Sequence, residues 1–265
     1  MYKRQVIYQH NGNEWTQFAE LFASDAIAFD NFGIDVSIHG NYAIVGSSVD
    51  KAYIFYFDGS SWVEQAILSG SGYFGRSVDI FGEYAVVGNY NSSGPDGGEV
   101  YVFNRVGSTW TEQSQLIASD GTEGNNFGIS VELSQDQLII GTRAGKAYVF
   151  KRNGSSWDEQ IILSPSDGVE TDGFGNPVCI NGEYAVVGAR DHATNGNTQE
   201  GKAYVYKKLS GNSSWYEYAR LVTPESGNNV SMFGRGVAIS DSAILIGAGV
   251  SLSPSFNGKL YFFSK

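Results

Sequence analysis

The sequence is poor in the residues that most often carry catalysis. Its single cysteine, Cys179, cannot form a disulfide within the chain, and its three histidines belong to no His-Glu-x-x-His motif. Neither a Gly-x-Ser-x-Gly elbow nor a phosphate-binding Walker loop occurs. We therefore expect a protein that is not an enzyme and needs no cofactor.

Long apolar runs and basic residues are scarce too. No run approaches the roughly 18 apolar residues of a membrane-spanning helix, so we expect no membrane insertion. The opening MYKRQVIYQHNG lacks the apolar centre of a signal peptide, so either the protein is not secreted or its signal precedes this numbering. The 17 Lys and Arg against 28 Asp and Glu argue against nucleic acid as a partner.

What the sequence does have is a repeat of about 50 residues. A Phe-Gly pair starts an alternating apolar segment, a nearly continuous apolar run such as YAVVG follows, then a segment such as KAYVF, and finally a segment opened by Trp. These patterns predict four β-strands in each repeat. The five copies begin near Phe32, Phe74, Phe127, Phe174 and Phe233.

The spacings within the repeat separate two ends of each predicted sheet. The glycine of Phe-Gly and the glycine that closes the second strand are 13 residues apart in every copy, as from Gly33 to Gly46. The connection from the second strand to the third varies from 7 to 16 residues (Gly46 to Tyr53, Gly188 to Tyr204). In an antiparallel meander, alternate connections lie at opposite ends. One end should therefore carry short hairpins and the other the variable loops.

Radial repetition explains five small sheets better than a sandwich does, because each sheet can bury both faces against its neighbours. We predict an all-β, five-bladed β-propeller of four-stranded antiparallel blades, a single domain over residues 1–265. Residues 5–12 match a third strand, residues 15–21 a fourth, and the chain ends on a third strand from Lys259 to Phe263. We expect the Trp15 strand to close the last blade beside the Lys259 strand, which leaves Gln5 to Tyr8 surplus.

The segment FGNPVCINGEYAVVGAR from Phe174 to Arg190, followed by GKAYVY, resembles the FG-GAP repeats of bacterial and protist surface proteins. More distantly, it is similar to the integrin α-subunit propeller. The resemblance implies an adhesion or ligand-binding module with an extracellular or cell-surface location. Integrin-type repeats carry calcium in a D-x-D-x-D-G loop between the first two strands. Here short turns such as His39-Gly40-Asn41 stand in its place, so the family's calcium site is not carried over.

The variable-loop face holds the candidate ligand-binding residues, which combine Arg with polar and acidic side chains. Arg76 and Arg235 follow a Phe-Gly pair directly and could hold a carboxylate, although ion pairs with acidic loops would explain them as well. The full set is Arg76, Arg235, Asn176, Arg143, Arg190, Asp191, His192, Asp96 and Asp120. A cation or basic partner at this acidic rim remains an alternative. For a metal, the weak candidates are Asp167, Glu170 and Asp172, and we expect none to be bound.

These features favour a non-catalytic binding or adhesion module that presents variable loops to a protein or glycan. The alternative is a lectin with repeated aromatic sugar sites between blades, formed by Trp15, Trp62, Trp110, Trp157 and Trp215. Each Trp occupies the same slot in its repeat, which favours packing over sugar binding. A glycan-acting enzyme that uses two carboxylates is a third reading.

Chelation tests the metal expectation. Because the turns between first and second strands are too short to surround calcium, EDTA should leave the melting temperature nearly unchanged. A site held at a hundredfold excess of calcium over its Kd would add about 3 kcal/mol of stability. A fall of several degrees in a thermal melt with EDTA would contradict the expectation.

Overall fold

The computed structural model describes residues 4–90, 97–169, 172–193, 200–210, 214–223, 232–249 and 258–265. Within these residues the chain is built of β-strands joined by turns and loops. The strands are β1 (Gln5–His10), β2 (Trp15–Leu21), β3 (Val36–His39), β4 (Tyr42–Gly46), β5 (Lys51–Phe57), β6 (Trp62–Ser69), β7 (Phe74–Phe81), β8 (Tyr84–Asn89), β9 (Glu99–Val106), β10 (Thr109–Leu116), β11 (Ser130–Ser134), β12 (Gln137–Gly141), β13 (Ala147–Asn153), β14 (Ser156–Leu163), β15 (Phe174–Asn181), β16 (Tyr184–Ala189), β17 (Lys202–Lys208), β18 (Trp215–Leu221), β19 (Phe233–Ile239), β20 (Ala243–Ala248) and β21 (Lys259–Ser264).

Four sheets are complete antiparallel meanders: β3–β6, β7–β10, β11–β14 and β15–β18. They confirm the all-β class and the four-stranded blade. The prediction of five four-stranded blades is wrong, because the described strands form six sheets. The two additional sheets are incomplete, with β1 and β2 at the N-terminal end and β19–β21 at the C-terminal end.

The predicted closure by the Trp15 strand is also wrong. β2 pairs with β1, from Gln5 opposite Leu21 to His10 opposite Trp15, while β21 pairs only with β20 in the described chain. The reason is that β1 is a full copy of a third strand. It carries its bulge between Ile7 and Tyr8, where the complete sheets carry theirs, as between Ile54 and Phe55. β1 therefore occupies the edge of β2 that β21 would need.

The first strands of successive sheets lie side by side, in the order β3, β7, β11, β15 and β19. The Trp-containing strands form the opposite edge of each complete sheet, as predicted. Side chains of one first strand accept hydrogen bonds from the backbone of the next. Asp35 accepts from the Val78 N–H (2.8 Å), Asp79 from the Leu133 N–H (2.6 Å) and Glu132 from the Ile180 N–H (3.0 Å). These bonds satisfy backbone donors that would otherwise lie at a sheet edge.

The constant Phe-Gly pair has two structural roles. Each phenylalanine packs edge-on against the third-strand tyrosine of its own sheet, with ring centroids 5.2 Å apart for Phe127 and Tyr148. Each glycine lets neighbouring sheets approach closely. A Cβ on Gly46 would lie 2.0 Å from the carbonyl oxygen of Gly75, and Gly75 itself has a positive φ of 97°. The fixed spacing of 13 residues places the two glycines of one sheet opposite each other, where the Gly33 N–H donates to the Gly46 carbonyl (2.9 Å).

Repeated polar contacts fix the loops that enter the first, third and fourth complete sheets. Asp120 binds Lys146 (2.5 Å) and accepts a hydrogen bond from the Tyr148 hydroxyl (2.6 Å). The neighbouring Ser119 donates from its hydroxyl to Glu159, the residue that follows Trp157 by two positions (2.7 Å). The same contacts join Asp25 to Lys51 and Tyr53, Ser24 to Glu64, Asp167 to Lys202 and Tyr204, and Ser166 to Glu217.

The tryptophans of the last three complete sheets are packing residues. Trp110, Trp157 and Trp215 are buried in the core, and Trp110 donates its indole N–H to Gln65 of the preceding sheet (2.9 Å). Trp157 packs edge-on against Tyr84 of the preceding sheet, with centroids 5.9 Å apart. Burial thus confirms the packing interpretation at these positions. Trp15, in the same repeat slot, lies at the N-terminal end of the array and is exposed.

Trp15 and Trp157 provide a matched pair of substitutions. Trp157 is 6% exposed, so Trp157→Ala should lower the free energy of unfolding by about 3–5 kcal/mol. Trp15 is 69% exposed, so Trp15→Ala should change it by about 0.5 kcal/mol or less. Urea denaturation of both variants measures the difference, and equal losses would contradict the packing role.

The carboxylates between first strands predict a pH dependence. Burial raises the pKa of Glu132 from 4.5 to about 8 and the pKa of Asp79 from 3.8 to about 6. The folded chain then binds more protons than the unfolded chain above about pH 4.5, so stability falls as the pH rises toward 8. Glu132→Gln keeps an acceptor for Ile180 and should weaken this fall, whereas the same change at exposed Glu123 should not. Denaturation midpoints between pH 5 and pH 8.5 measure the slopes, and identical slopes in both variants would refute the assignment to Glu132.

Candidate functional site

The antiparallel order of each complete sheet places the predicted variable loops at one end. In the second complete sheet, the β7–β8 and β9–β10 turns lie at one end, while the β8–β9 connection and the links to neighbouring sheets lie at the other. We call this second end the variable-loop face. Nearly all the candidate residues predicted from the sequence come from its loops or from first-strand starts beside them.

Four side chains from two adjacent sheets converge on this face, and we call them the Arg–Tyr cluster: Tyr73, Arg76, Tyr90 and Arg143. The guanidinium carbon of Arg76 lies 5.7 Å from the centroid of the Tyr90 ring, and that of Arg143 lies 6.0 Å from the same centroid. The Tyr73 ring packs beside Tyr90 at 5.1 Å. Both arginines are exposed, so the cluster is open to solvent.

Backbone contacts from neighbouring loops hold the cluster in place. The Tyr73 N–H donates to the Asp50 carboxylate (2.8 Å), and the Asn126 side-chain amide donates to the Tyr90 carbonyl (3.0 Å). The Arg143 N–H donates to the carbonyl of Asn125 (2.9 Å). Loops of three successive sheets therefore meet at this point. Such anchoring positions the side chains before any ligand arrives.

Tyr73 adopts a backbone conformation that its residue type disfavours. Its φ is 84°, at the position directly before Phe-Gly where the other copies use Asn31, Asn126, Gly173 and Met232, all with positive φ. Asparagine and glycine tolerate this region, whereas a bulky residue there carries strain of about 1–3 kcal/mol. Because every copy has a positive φ here, the conformation belongs to the repeat, and what distinguishes the second complete sheet is the aromatic side chain that it presents at this position.

The charge of the cluster contrasts with that of the whole chain. Among the described residues, no ion pair joins the guanidinium of Arg76 or of Arg143 to a carboxylate, while the chain carries a net charge of −11. Arginine binds a carboxylate through two parallel hydrogen bonds, and tyrosine rings pack on apolar or sugar faces. The arrangement can hold an anionic group beside a flat surface.

Other predicted site residues are engaged within the fold. Asp120 is held by Lys146, which lowers the pKa of its carboxyl, so Asp120 belongs to the scaffold. His192 is buried with its Nδ1 atom 2.5 Å from the Asp172 carboxylate. Arg190 lies 3.4 Å from Asp191, with which it forms an ion pair.

The remaining predictions are placed as follows. Arg235 is exposed and its guanidinium lies 3.7 Å from the Met232 sulfur, with no aromatic partner in the described chain. Asn176 is half-buried on β15. Asp96 and Glu170 lie outside the described residues.

The weak metal candidates are not brought together. Asp167 binds Lys202 (2.9 Å) and Arg220 (3.0 Å), whereas Asp172 accepts the Val169 N–H (2.9 Å) and contacts His192. Over the described ranges, no group of three or more His, Cys, Asp or Glu side chains is arranged to hold a metal ion.

Tyr73 and Tyr90 are not among the site residues predicted from the sequence. Both are aromatic residues in otherwise small and polar loops, and Tyr73 replaces the Asn or Gly that its backbone conformation prefers. That substitution was the available signal. The contact of Tyr90 with Arg143 could not be read from the sequence, because it joins two sheets across 53 positions of the chain.

Solved structures show a likeness in fold alone. The chain matches a computationally designed protein, Ika8, with a TM-score of 0.55 and 13% identity over 86% of this chain and 57% of that one. It also matches a chain of a Saccharomyces cerevisiae complex of a Dbp5 variant with Nup159, a Gle1 variant, IP6 and ADP, with a TM-score of 0.52 and 14% identity over 96% of this chain and 64% of that one. The chain thus spans less than two thirds of the length of either match.

No curated protein matches the chain significantly. None of the described elements is a helix long and apolar enough to cross a membrane. The FG-GAP repeat model matches four consecutive segments, residues 15–61, 62–103, 110–155 and 157–206, which together cover more than half of the chain. FG-GAP repeats are typical of extracellular or surface proteins and of binding or adhesion modules. With its repeat motif, four-stranded sheets and constant Phe-Gly contacts, the chain belongs to the FG-GAP repeat family.

Proposed function

We propose that this protein is a non-catalytic binding module whose variable-loop face recognises an anionic group on a protein or glycan. The observation that carries the proposal is the convergence of Arg76 and Arg143 on the ring of Tyr90. A carboxylate of the ligand would lie between the guanidiniums, and its neighbouring apolar face would pack on Tyr73 or Tyr90. The family match supports a location outside the cell or on its surface.

Two features weigh against a lectin with one site in each blade. The Arg–Tyr cluster occurs once among the described residues, and Arg235, at the position of Arg76 in its own repeat, has no tyrosine beside it there. Three of the five tryptophans are buried between sheets and present no ring face to a sugar. A single site built from loops that differ between copies fits a specific partner better.

Catalysis is not part of the proposal. Burial raises the pKa of three carboxyl groups, those of Asp35, Asp79 and Glu132, and a raised pKa can suit proton transfer. Each of the three accepts a backbone N–H of the next first strand, from Val78, Leu133 or Ile180, and so has a structural partner. Their burial between blades explains the raised pKa values.

Substitution of the two arginines tests the site. The protein should bind carboxylated members of an array of glycans and acidic peptides in preference to their neutral counterparts. Arg76→Ala and Arg143→Ala should each weaken binding at least about tenfold, because each removes a charged hydrogen bond of about 1.5–3 kcal/mol. Isothermal titration with the best carboxylated probe measures the affinities, and binding should weaken as salt rises.

Arg235→Ala is the matched control, since it removes the same charge at the same repeat position without touching a tyrosine. It should leave the affinity unchanged. Equal losses in all three variants would indicate a general charge effect and contradict the site. Unchanged binding in Arg76→Ala and Arg143→Ala would also contradict the site.

A further inference from the structure

The junctions between successive sheets share one apolar design. Two residues of a first strand pack on the second and third strands of the preceding sheet. At the first junction, Val78 and Ile80 of β7 lie on Ile44 of β4 and Ile54 of β5, and all four are buried. Equivalent sets join the later sheets: Val131 and Leu133 on Val86 and Val102, Val178 and Ile180 on Ile139 and Val149, and Val237 and Ile239 on Val186 and Val205.

The sheets lie in a row, which we call the array, and each end of it exposes one of the two surfaces that meet at an internal junction. At the N-terminal end, Val36 and Ile38 of β3 are 51% and 56% exposed, and a groove of about 240 Å³ lies beside them, bordered by β1. At the C-terminal end, Phe262 of β21 occupies the third-strand position of Ile54 and is 71% exposed. Each face is apolar, and in the part of the chain that the structure describes no layer covers it as its equivalents are covered inside the array.

The outer edges of the same two ends are complementary as well. Inside the array, Tyr42 contacts Trp110 and Tyr84 contacts Trp157, each from the fourth strand of the following sheet. Tyr184 holds the same repeat position, and Lys265 lies over its ring at 4.7 Å, but its ring neighbour is Tyr218 of its own sheet. Trp15 is the exposed tryptophan. One end therefore has the tyrosine and the other has the indole.

β21 also fits beside β2 better than β1 does. Tyr261 of β21 packs against Phe233 at 5.2 Å, as the third-strand tyrosines do in the complete sheets, whereas β1 has Val6 at that position. β1 further places Gln5 where the complete sheets bury a small apolar residue, as at Ala147. Replacing β1 by β21 would exchange a polar side chain for an apolar one at a buried position.

We infer that the C-terminal sheet of one copy of this chain docks on the N-terminal end of a second copy. Its β20 and β21 cover Val36 and Ile38, with β21 in the place of β1 beside β2, and Trp15 of the second copy packs on Tyr184 of the first. The contact is head to tail, so the two copies use different surfaces. The occupant is a second copy because the exposed ends reproduce, position for position and with apolar or aromatic side chains, an interface that the chain already forms between its own sheets. It also covers an open sheet edge.

Mass measurements on the full chain test this contact. The unmodified chain should assemble as its concentration rises, measured by light scattering during size exclusion. Ile38→Asp blocks one face and Phe262→Asp the other, and both positions are exposed, so both variants should fold, which circular dichroism checks. Each variant alone should stay at the single-chain mass of 28.7 kDa. An equimolar mixture should give a species of twice that mass, since one intact face remains on each partner.

Val106→Asp, at an exposed hairpin position away from both ends, is the control and should assemble like the unmodified chain. If the unmodified chain stays monomeric at every concentration, the proposal fails. It also fails if the mixture of the two blocked variants stays monomeric, which would indicate contact between like ends.

A disulfide tests the register. The pairing of Lys207 with Tyr216 in β17 and β18 predicts that Ser264 of one copy lies opposite Thr16 of the other. Mixed single variants Thr16→Cys and Ser264→Cys should oxidise to a disulfide-linked pair of chains on a nonreducing gel, while buried Cys179 stays unreacted. In the double variant, a disulfide formed only within one chain would show that the chain closes on itself and would overturn the proposal.

Discussion

Close contact between backbones of successive sheets is the constraint on which this fold depends. A second-strand glycine of one sheet meets the carbonyl of the Phe-Gly glycine in the next, as Gly88 meets Gly128, where an added Cβ would lie 2.0 Å from the oxygen. This approach brings first strands near enough for side chains such as Ser77 to bind the Val131 N–H (3.0 Å). It also seals the apolar layer between sheets. The aromatic packing and the loop contacts both depend on this close separation of successive sheets.

Features of the fold that repeat could be predicted from the sequence. Strand type, the four-strand blade and the buried tryptophans follow from patterns that recur with fixed spacing, because the same local geometry demands the same residue each time. The closure could not be predicted in this way. Whether β2 pairs with β1 or with β21 depends on competition between strands at opposite ends of the chain, and both match a third strand.

The candidate site shows the same division. Arg76 was identifiable because it breaks a repeat pattern at a first-strand start, and Arg143 because it lies in a variable loop. Asp120 was predicted to bind ligand but belongs to the scaffold. Its contacts with Lys146 and Tyr148 span 26 and 28 residues, and an aspartate in a loop is common enough that the sequence alone does not indicate them. A pattern of Asp after Ser in one loop and Lys-x-Tyr in the next strand would have indicated the scaffold role.

The second complete sheet departs from that pattern, and its departure coincides with the candidate site. Its third strand begins with Glu99 in place of lysine, Tyr101 donates its hydroxyl to Glu99 (2.9 Å), and the loop that enters the sheet has Gly72 where its counterparts have aspartate. That loop, released from the anchoring used elsewhere, carries Tyr73. In a repeat protein one copy can thus lose a structural contact while its neighbours keep the array together. Such redundancy makes the individual blade the unit in which a new binding specificity can arise without loss of the fold.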